Sequence, residues 1–267
     1  MKISIIVSVY KDTQALGLIL KSLENQSLVP SEIVVSEDGN SKEMRDFLSQ
    51  HKGVKHCFQE DNGWHKNKAL NNAIKHSSGD LLIFLDGDCI PYSNLVENYY
   101  LNASPKTVLC GRRVELGEEY SQNLREKKIT ISDIEQGYLR QYFKMKRDKT
   151  RHYEEGIVLS SLFYKLKYRK KSSHILGCNF ALNREDIEDI NGFNEDYITP
   201  SVGEDTDIEY RLKLNGCIMK PTRNLTNIVH LYHKVTYNSE NNRESNLVFD
   251  AVKESREIFC KNGLNIK

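Results

Sequence analysis

Residues 3 to 9, ISIIVSV, are an almost unbroken run of Ile and Val, the pattern of a parallel strand covered on both faces. The next stretch, 13 to 26, sets Leu16, Ile19, Leu20 and Leu23 at helical spacing. After Pro30, EIVVSEDG predicts a second strand ending in acids and a glycine; a helix at about 42 to 50 follows, and VKHCFQE predicts a third strand. Residues 66 to 77 have helical character, and the Ser78-Gly79 turn leads into LLIFLDGDCIP at 81 to 91. This alternation of strand and helix predicts an α/β fold on a mostly parallel sheet.

From 116 to 172 no strand-like run occurs, and the segment is expected to be a helical insertion. Strand pattern resumes with ILGCNFALN from 175. GEDTDIEYRLKLNG predicts a helix stopped by Gly216, IVHLYHKV another strand, and 244 to 262 an exposed amphipathic helix. The expected organisation is 1–115 and 173–235 as two halves of one α/β domain, 116–172 as the insertion and 236–267 as a helical tail.

In parallel sheets ligands gather at the carboxyl ends of the strands. Tyr10 and Lys11, Glu37 and Asp38, and Asp86 and Asp88 all fall there, so three strand ends are expected to meet at one site. Two carboxylates at one strand end repel each other, and a divalent cation relieves that cost. Oxygen ligands select Mg²⁺ or Mn²⁺, ions that commonly bridge to substrate phosphates, and Gly87 would let backbone and phosphate approach closely. Asp-Gly-Asp also suits a plain turn after a buried strand.

Gly203, Glu204 and Asp205 open the helix of GEDTDIEYRLKLNG, where acids serve either as caps or as groups kept ionised by the helix N-terminus. His230 and His233 stand three apart in IVHLYHKV. In a continuous strand they would point to opposite faces, so one could reach a metal while the other turned away, unless a bend intervened. Trp64, the only tryptophan, follows Asn62-Gly63 and suits either a sugar-stacking surface or a cap on the core.

With 38 Lys and Arg against 37 Asp and Glu in 267 residues, overall charge offers no argument for nucleic acid. Locally the balance differs: 125 to 171 holds fourteen Lys or Arg against six acids. Its YKLKYRKK stretch, 164 to 171, interleaves tyrosines with cations, a composition suited to an anionic membrane surface as well as to a solvated insertion. Six scattered cysteines without CxxC spacing argue against a zinc ribbon or disulfide framework and fit a reducing cytoplasm. The apolar start runs into Lys11 and Asp12 without a small-residue cleavage site, which does not fit a signal peptide.

SIIVSVYKD, VVSEDGN, FLDGDCIP and GEDTDIEYRL occur in the order found in family 2 glycosyltransferases, and DGDCIP with HLYH is most similar to members sharing features with galactosyltransferases and chondroitin-polymerase-like enzymes. The resemblance covers about 1 to 115 and 173 to 235 and implies a GT-A fold that binds a nucleotide sugar through a metal. It implies that Val9, Tyr10 and Lys11 border the nucleotide and that Glu37 or Asp38 reaches the base, although the family usually has Asp-Asp-Gly-Ser where this chain has Glu37-Asp38-Gly39-Asn40. Lys68, with Asn71 beside it, is expected to contact the donor phosphates. Asp86, Asp88 and His230 are expected at the metal, Asp205 as catalytic base and Glu204 beside the acceptor.

The implied activity is inverting, metal-dependent transfer from a UDP-sugar to a hydroxyl of a glycan or lipid-linked glycan, in the cytoplasm and at the inner face of the cell membrane. A sugar-phosphate nucleotidyltransferase is the alternative within enzymes, but it should carry a glycine-rich, arginine-bearing loop where this chain has SVYKDTQAL. A non-catalytic binding protein on the same fold should carry a broken acidic motif; here both motifs are whole.

Overall fold

The computed structural model of the protein describes residues 1–168, 171–199, 204–234 and 239–265. Its centre is a seven-stranded sheet built from β1 (Ile3–Val9), β2 (Glu32–Glu37), β3 (Val54–Phe58), β4 (Leu81–Asp86), β6 (Thr107–Cys110), β8 (Asn179–Asn183) and β9 (Ile218–Pro221), in the order β3-β2-β1-β4-β8-β6-β9. β1 to β4 are mutually parallel where they pair, β8 runs antiparallel to both β4 and β6, and β9 is parallel to β6. The α/β expectation therefore holds, and strands from the two halves of the chain alternate across one sheet.

The apolar runs are continuous because both faces of the sheet are covered. Along β4, Leu81, Ile83 and Leu85 enter one core with Leu16, Ile19 and Leu23 of the helix Thr13–Glu24. Leu82 and Phe84 point into a second core with Leu70 and Ile74 of the helix Lys66–His76, and with Ile208 and Leu212 of the helix Glu204–Leu214. There Phe84 stacks on Phe180 at 4.7 Å and meets Phe193 edge-on at 5.5 Å. Side chains alternate between the two sides at the period of a strand, so a two-sided sheet needs apolar residues at every position.

A second, three-stranded sheet escaped the sequence reading: β5 (Cys89–Pro91), β10 (Asn227–His230) and β7 (Arg112–Glu115), in the order β5-β10-β7. β5 and β7, like β6 and β9, have only three or four residues, too short for any alternation to stand out. β10 also stops at His230 instead of running through His233, and β8 starts at Asn179, after a turn closed by Asn179 N–H on the Leu176 carbonyl at 2.8 Å.

The insertion is helical, with helices Glu118–Arg125, Ile131–Gly137, Tyr142–Arg147 and Ser161–Tyr168. It is anchored by directed contacts. Asp148 accepts the backbone N–H groups of Glu119 and Tyr120, capping the first of these helices. Tyr138 and Tyr153 stack at 4.5 Å and each donates its hydroxyl to the other's carbonyl. Glu155 pairs with Arg223, while Asn227 donates its side-chain amide to the Glu155 carbonyl. The tail helix runs Ser239–Ser255, earlier than expected. Among the described residues no helix is long and apolar enough to cross a membrane.

Candidate functional site

The register sets the site. Ser8 of β1 lies opposite Asp86, and Val9 opposite Glu37, so the ends of β1, β2 and β4 are level. Gly87 permits the close approach: a Cβ there would lie 2.8 Å from the Ser8 carbonyl and 2.9 Å from Val9 Cγ1. The close backbone approach expected of this glycine is therefore made to β1. β4 continues through Asp88 into β5, which pairs antiparallel with β10 and puts Cys89 opposite His230.

The Leu231 N–H then bonds the Asp88 carbonyl at 2.9 Å, and the chain bends. As a result His230 Nε2 and His233 Nε2 both reach Asp88 Oδ2, at 3.1 and 3.3 Å, with their rings 5.1 Å apart. The opposite-face expectation for the two histidines fails because the strand ends at the first of them.

Burial acting alone would raise the Asp88 carboxyl, but the hydrogen bonds from His230 and His233 outweigh it and hold the group far below the usual carboxylate range. The same bond from Asp88 raises His233 above the ordinary imidazole value. Asp88, His230 and the buried Cys89 thiol bring ligand atoms within 4.8 Å of one another. Burial and the neighbouring Cys178 raise the Cys89 thiol well above its normal value, which disfavours a thiolate and leaves carboxylate and imidazole as the donors. A carboxylate oxygen shared by two imidazole nitrogens, with a second carboxylate one residue beyond Gly87, is a donor set suited to Mn²⁺ or a similar divalent ion.

Two clefts meet over this cluster and share Asp86, Asp88 and His233. One, of about 660 Å³, is lined by Val9, Tyr10, Asp38, Trp64, Lys66 and Arg125 among others. The other, of about 740 Å³, is lined by Arg113, Glu115, Arg151 and His230, with Arg147 and Lys149 of the insertion. Trp64, half-buried, faces the first cleft.

The remaining expected residues divide. Val9, Tyr10, Asp38, Asp86 and Gly87 come together in the first cleft. Lys11 is exposed and lines neither cleft, lying over the Tyr10 ring and 2.9 Å from Asp61. Asp38 accepts the His65 N–H at 2.8 Å and the Gln59 amide at 2.7 Å, which fixes the loop carrying Trp64. Glu37 turns inward instead, where His56 and Ser41 hold it.

Lys68 is exposed and lines neither cleft; Lys66 reaches Asp86 Oδ1 at 2.7 Å in its place. Side chains in the first turn of a helix tilt toward its N-terminus, and the signal was the position of Lys66 as the first helical residue. Asn71 is fully buried. Its amide donates to the Phe193 carbonyl and to Glu195 while its oxygen accepts the Phe193 N–H, so it ties the helix to the 193–195 loop and lines neither cleft.

Asp205 is half-buried in the first turn of the helix Glu204–Leu214, accepts from the Thr206 hydroxyl at 3.3 Å, and borders neither cleft. The side chain of Glu204 and all of Gly203 lie outside the described residues, as do Arg169 and Lys170 of the basic stretch. Sequence reasoning missed Asp12 and Arg125, which pair in a fork at 2.7 and 3.0 Å on the wall of the first cleft; their separation along the chain hid the pair.

Comparison with known proteins bears on the family and the fold. A 120-residue stretch is 31% identical to glycosyltransferase AglE of Haloferax volcanii, covering 42% of this chain and 39% of that protein. Solved structures share the fold at low identity. The GalNAc-T7 structure with UDP, GalNAc and Mn²⁺ superposes at a TM-score of 0.65 with 13% identity, over 94% of this chain and 48% of that one. TarS of S. aureus gives 0.58 at 14%, over 94% and 39%. A mannosyltransferase of Pyrobaculum calidifontis in complex with GDP-Man and Mn²⁺ gives 0.56 at 17%, over 96% and 64%. The chain therefore spans between 39% and 64% of the length of these relatives. Residues 158–234 match the N-terminal domain of galactosyltransferase. Residues 4–190, well over half of the chain, match glycosyl transferase family 2, and the protein belongs to that family.

Proposed function

We propose that this protein transfers a hexosyl or N-acetylhexosaminyl group, with inversion, from a UDP-sugar to a hydroxyl of a glycan or lipid-linked glycan acceptor. The observation that carries the reading is the shared floor of the two clefts, where Asp86, Asp88 and His233 stand between a donor-sized and an acceptor-sized space. The strand-end cleft takes the nucleotide sugar: Trp64 and Tyr10 offer aromatic surface, Asp38 lies toward the base, and Lys66 lies beside Asp86 where diphosphate charge must be met. The UDP and Mn²⁺ named for GalNAc-T7, and the GDP-Man and Mn²⁺ named for the Pyrobaculum enzyme, support a nucleotide-sugar donor and a divalent metal.

Asp86, Asp88 and His230, with His233 beside them, would hold that ion. When bound, it supplies positive charge against the departing diphosphate. The chain's own residues orient the two substrates and keep carboxylates ionised around the reacting carbon. Asp205 is the proposed base, with Glu204 on the acceptor; family resemblance alone carries these two assignments.

Thermal shift with a panel of UDP- and GDP-sugars, with and without Mn²⁺, tests the donor reading. Stabilisation by a UDP-sugar that needs Mn²⁺ and is lost in Asp88→Asn is expected; indifference to every nucleotide sugar sinks the reading. Asp205→Asn should retain the donor-induced shift while nucleotide release falls by roughly a hundredfold or more. Undiminished release would remove Asp205 from its role.

A further inference from the structure

The helix Ser161–Tyr168 is apolar on both of its sides. Tyr164 and Tyr168, one turn apart, are buried with Leu225, and donate their hydroxyls to the Pro221 carbonyl and to Asn224. They are the tyrosines of YKLKYRKK, whose composition suits a membrane surface or a solvated insertion alike, yet they form the inner, docked face. The outer face carries Leu162, Phe163 and Leu166, exposed to 66%, 65% and 72%.

At 3.6 residues per turn Leu162 and Leu166 form one stripe with Phe163 next to it, and Lys165 and Lys167 fall on either flank, both exposed, the Lys167 ammonium also lying 3.3 Å from Asn224 Oδ1. A soluble surface helix has no reason to present three large apolar side chains once its inner face is packed. Apolar side chains bordered by lysines, whose alkyl stems let the ammonium groups rise to a polar layer, suit an interface between water and lipid.

We propose that this outer face docks peripherally on an anionic lipid surface, with Leu162, Phe163 and Leu166 entering the headgroup boundary and Lys165 and Lys167 meeting lipid phosphates. Charge selects this occupant over a second copy of the chain, because a two-fold contact would bring the lysines of one copy against those of the other. The surrounding segment adds to the attraction, with fourteen cationic residues against six acids over 125–171. The placement suits the molecule as well. β9 runs in the same direction as β4, since β4 and β6 both oppose β8 and β9 parallels β6. Pro221, at the carboxyl end of β9 where the helix is held, therefore lies at the same end of the sheet as the clefts. The inference stands on helix geometry and charge and is independent of the transferase reading.

Flotation of the full-length protein with phosphatidylglycerol/phosphatidylcholine vesicles, and with phosphatidylcholine alone, tests it. Binding to the anionic vesicles that weakens in high salt is expected. The combined Leu162→Ser, Phe163→Ser, Leu166→Ser variant should lose most of that binding with an unchanged melting temperature. Lys165→Gln and Lys167→Gln should each weaken partition about fivefold. No flotation with anionic vesicles, equal flotation of the triple variant, or equal binding to neutral lipid would overturn the proposal. A wild-type dimer on sedimentation that the triple variant abolishes would assign the face to a second copy instead.

Discussion

Lys66 and Lys68 stand two positions apart at the start of one helix, yet only the first reaches the cleft. Its ammonium lies 2.7 Å from Asp86 Oδ1, on a side chain that is largely shielded from solvent, whereas Lys68 points to water. A charged hydrogen bond withdrawn from such a setting costs about 1.5–3 kcal/mol. Lys66→Ala is therefore expected to weaken the Kd for the nucleotide sugar by roughly 10- to 100-fold, read by calorimetry. Lys68→Ala should stay within about twofold, as for most exposed substitutions. Matching losses in the two variants would mean that diphosphate charge is met along the whole helix face and not at its first residue. Asn71 marks the complementary error: a polar residue beside a candidate ligand proved to be a buried tether, because its amide and carbonyl both found backbone partners in the 193–195 loop.

At the level of elements, the end of β4 depends on one missing side chain. A Cβ on Gly87 would press into the Ser8 carbonyl and Val9, and both belong to the paired strand β1. Overpacking of this kind costs about 1–3 kcal/mol, so Gly87→Ala should lower the denaturant midpoint accordingly and also displace Asp86 and Asp88 from the cluster. Gly39→Ala is the control, because its nearest contact would be Glu37 at 3.8 Å; it should leave stability close to wild type. If Gly87→Ala is also neutral, the strand ends are less tightly coupled than this packing requires.

β1, β2 and β4 were legible in the sequence because four or five consecutive positions in each are buried between two cores. β5 and β7 were not, since three- and four-residue strands carry no period and their pairing joins residues far apart in the chain, and β10 was expected from IVHLYHKV but carried past His230, where it ends. The consequence fell on the site itself. The bend that lets His233 join His230 at Asp88 follows from where β10 ends, and an apolar-polar pattern does not fix that point to within a residue.

Across the whole molecule, the insertion is a wall of the site and not a detached appendage, and one ion pair joins it to the first helix of the sheet domain. Arg125 grips Asp12 through two hydrogen bonds, while Asp12 also caps the helix Thr13–Glu24 by accepting the Ala15 N–H at 2.9 Å. Burial would raise the Asp12 carboxyl, but Arg125 and the cap lower it below its usual range, which favours the ionised acid beside Arg125. Both partners are partly exposed, and the pair contributes about 1 kcal/mol or less to overall stability. Its larger effect should be local, because the chain turns sharply just beyond it at Lys127, whose φ of 57° already lies in the left-handed region. Arg125→Met, which keeps the bulk and removes the fork, should shift the melting temperature by only a degree or two, roughly. Tryptic cleavage after Lys127 or Lys128 should nevertheless become several-fold faster, since local opening there would no longer work against the pair. Cleavage at the wild-type rate, followed by mass spectrometry under native conditions, would show that the insertion is held by its tyrosine stack and the Glu155–Arg223 pair without help from Asp12.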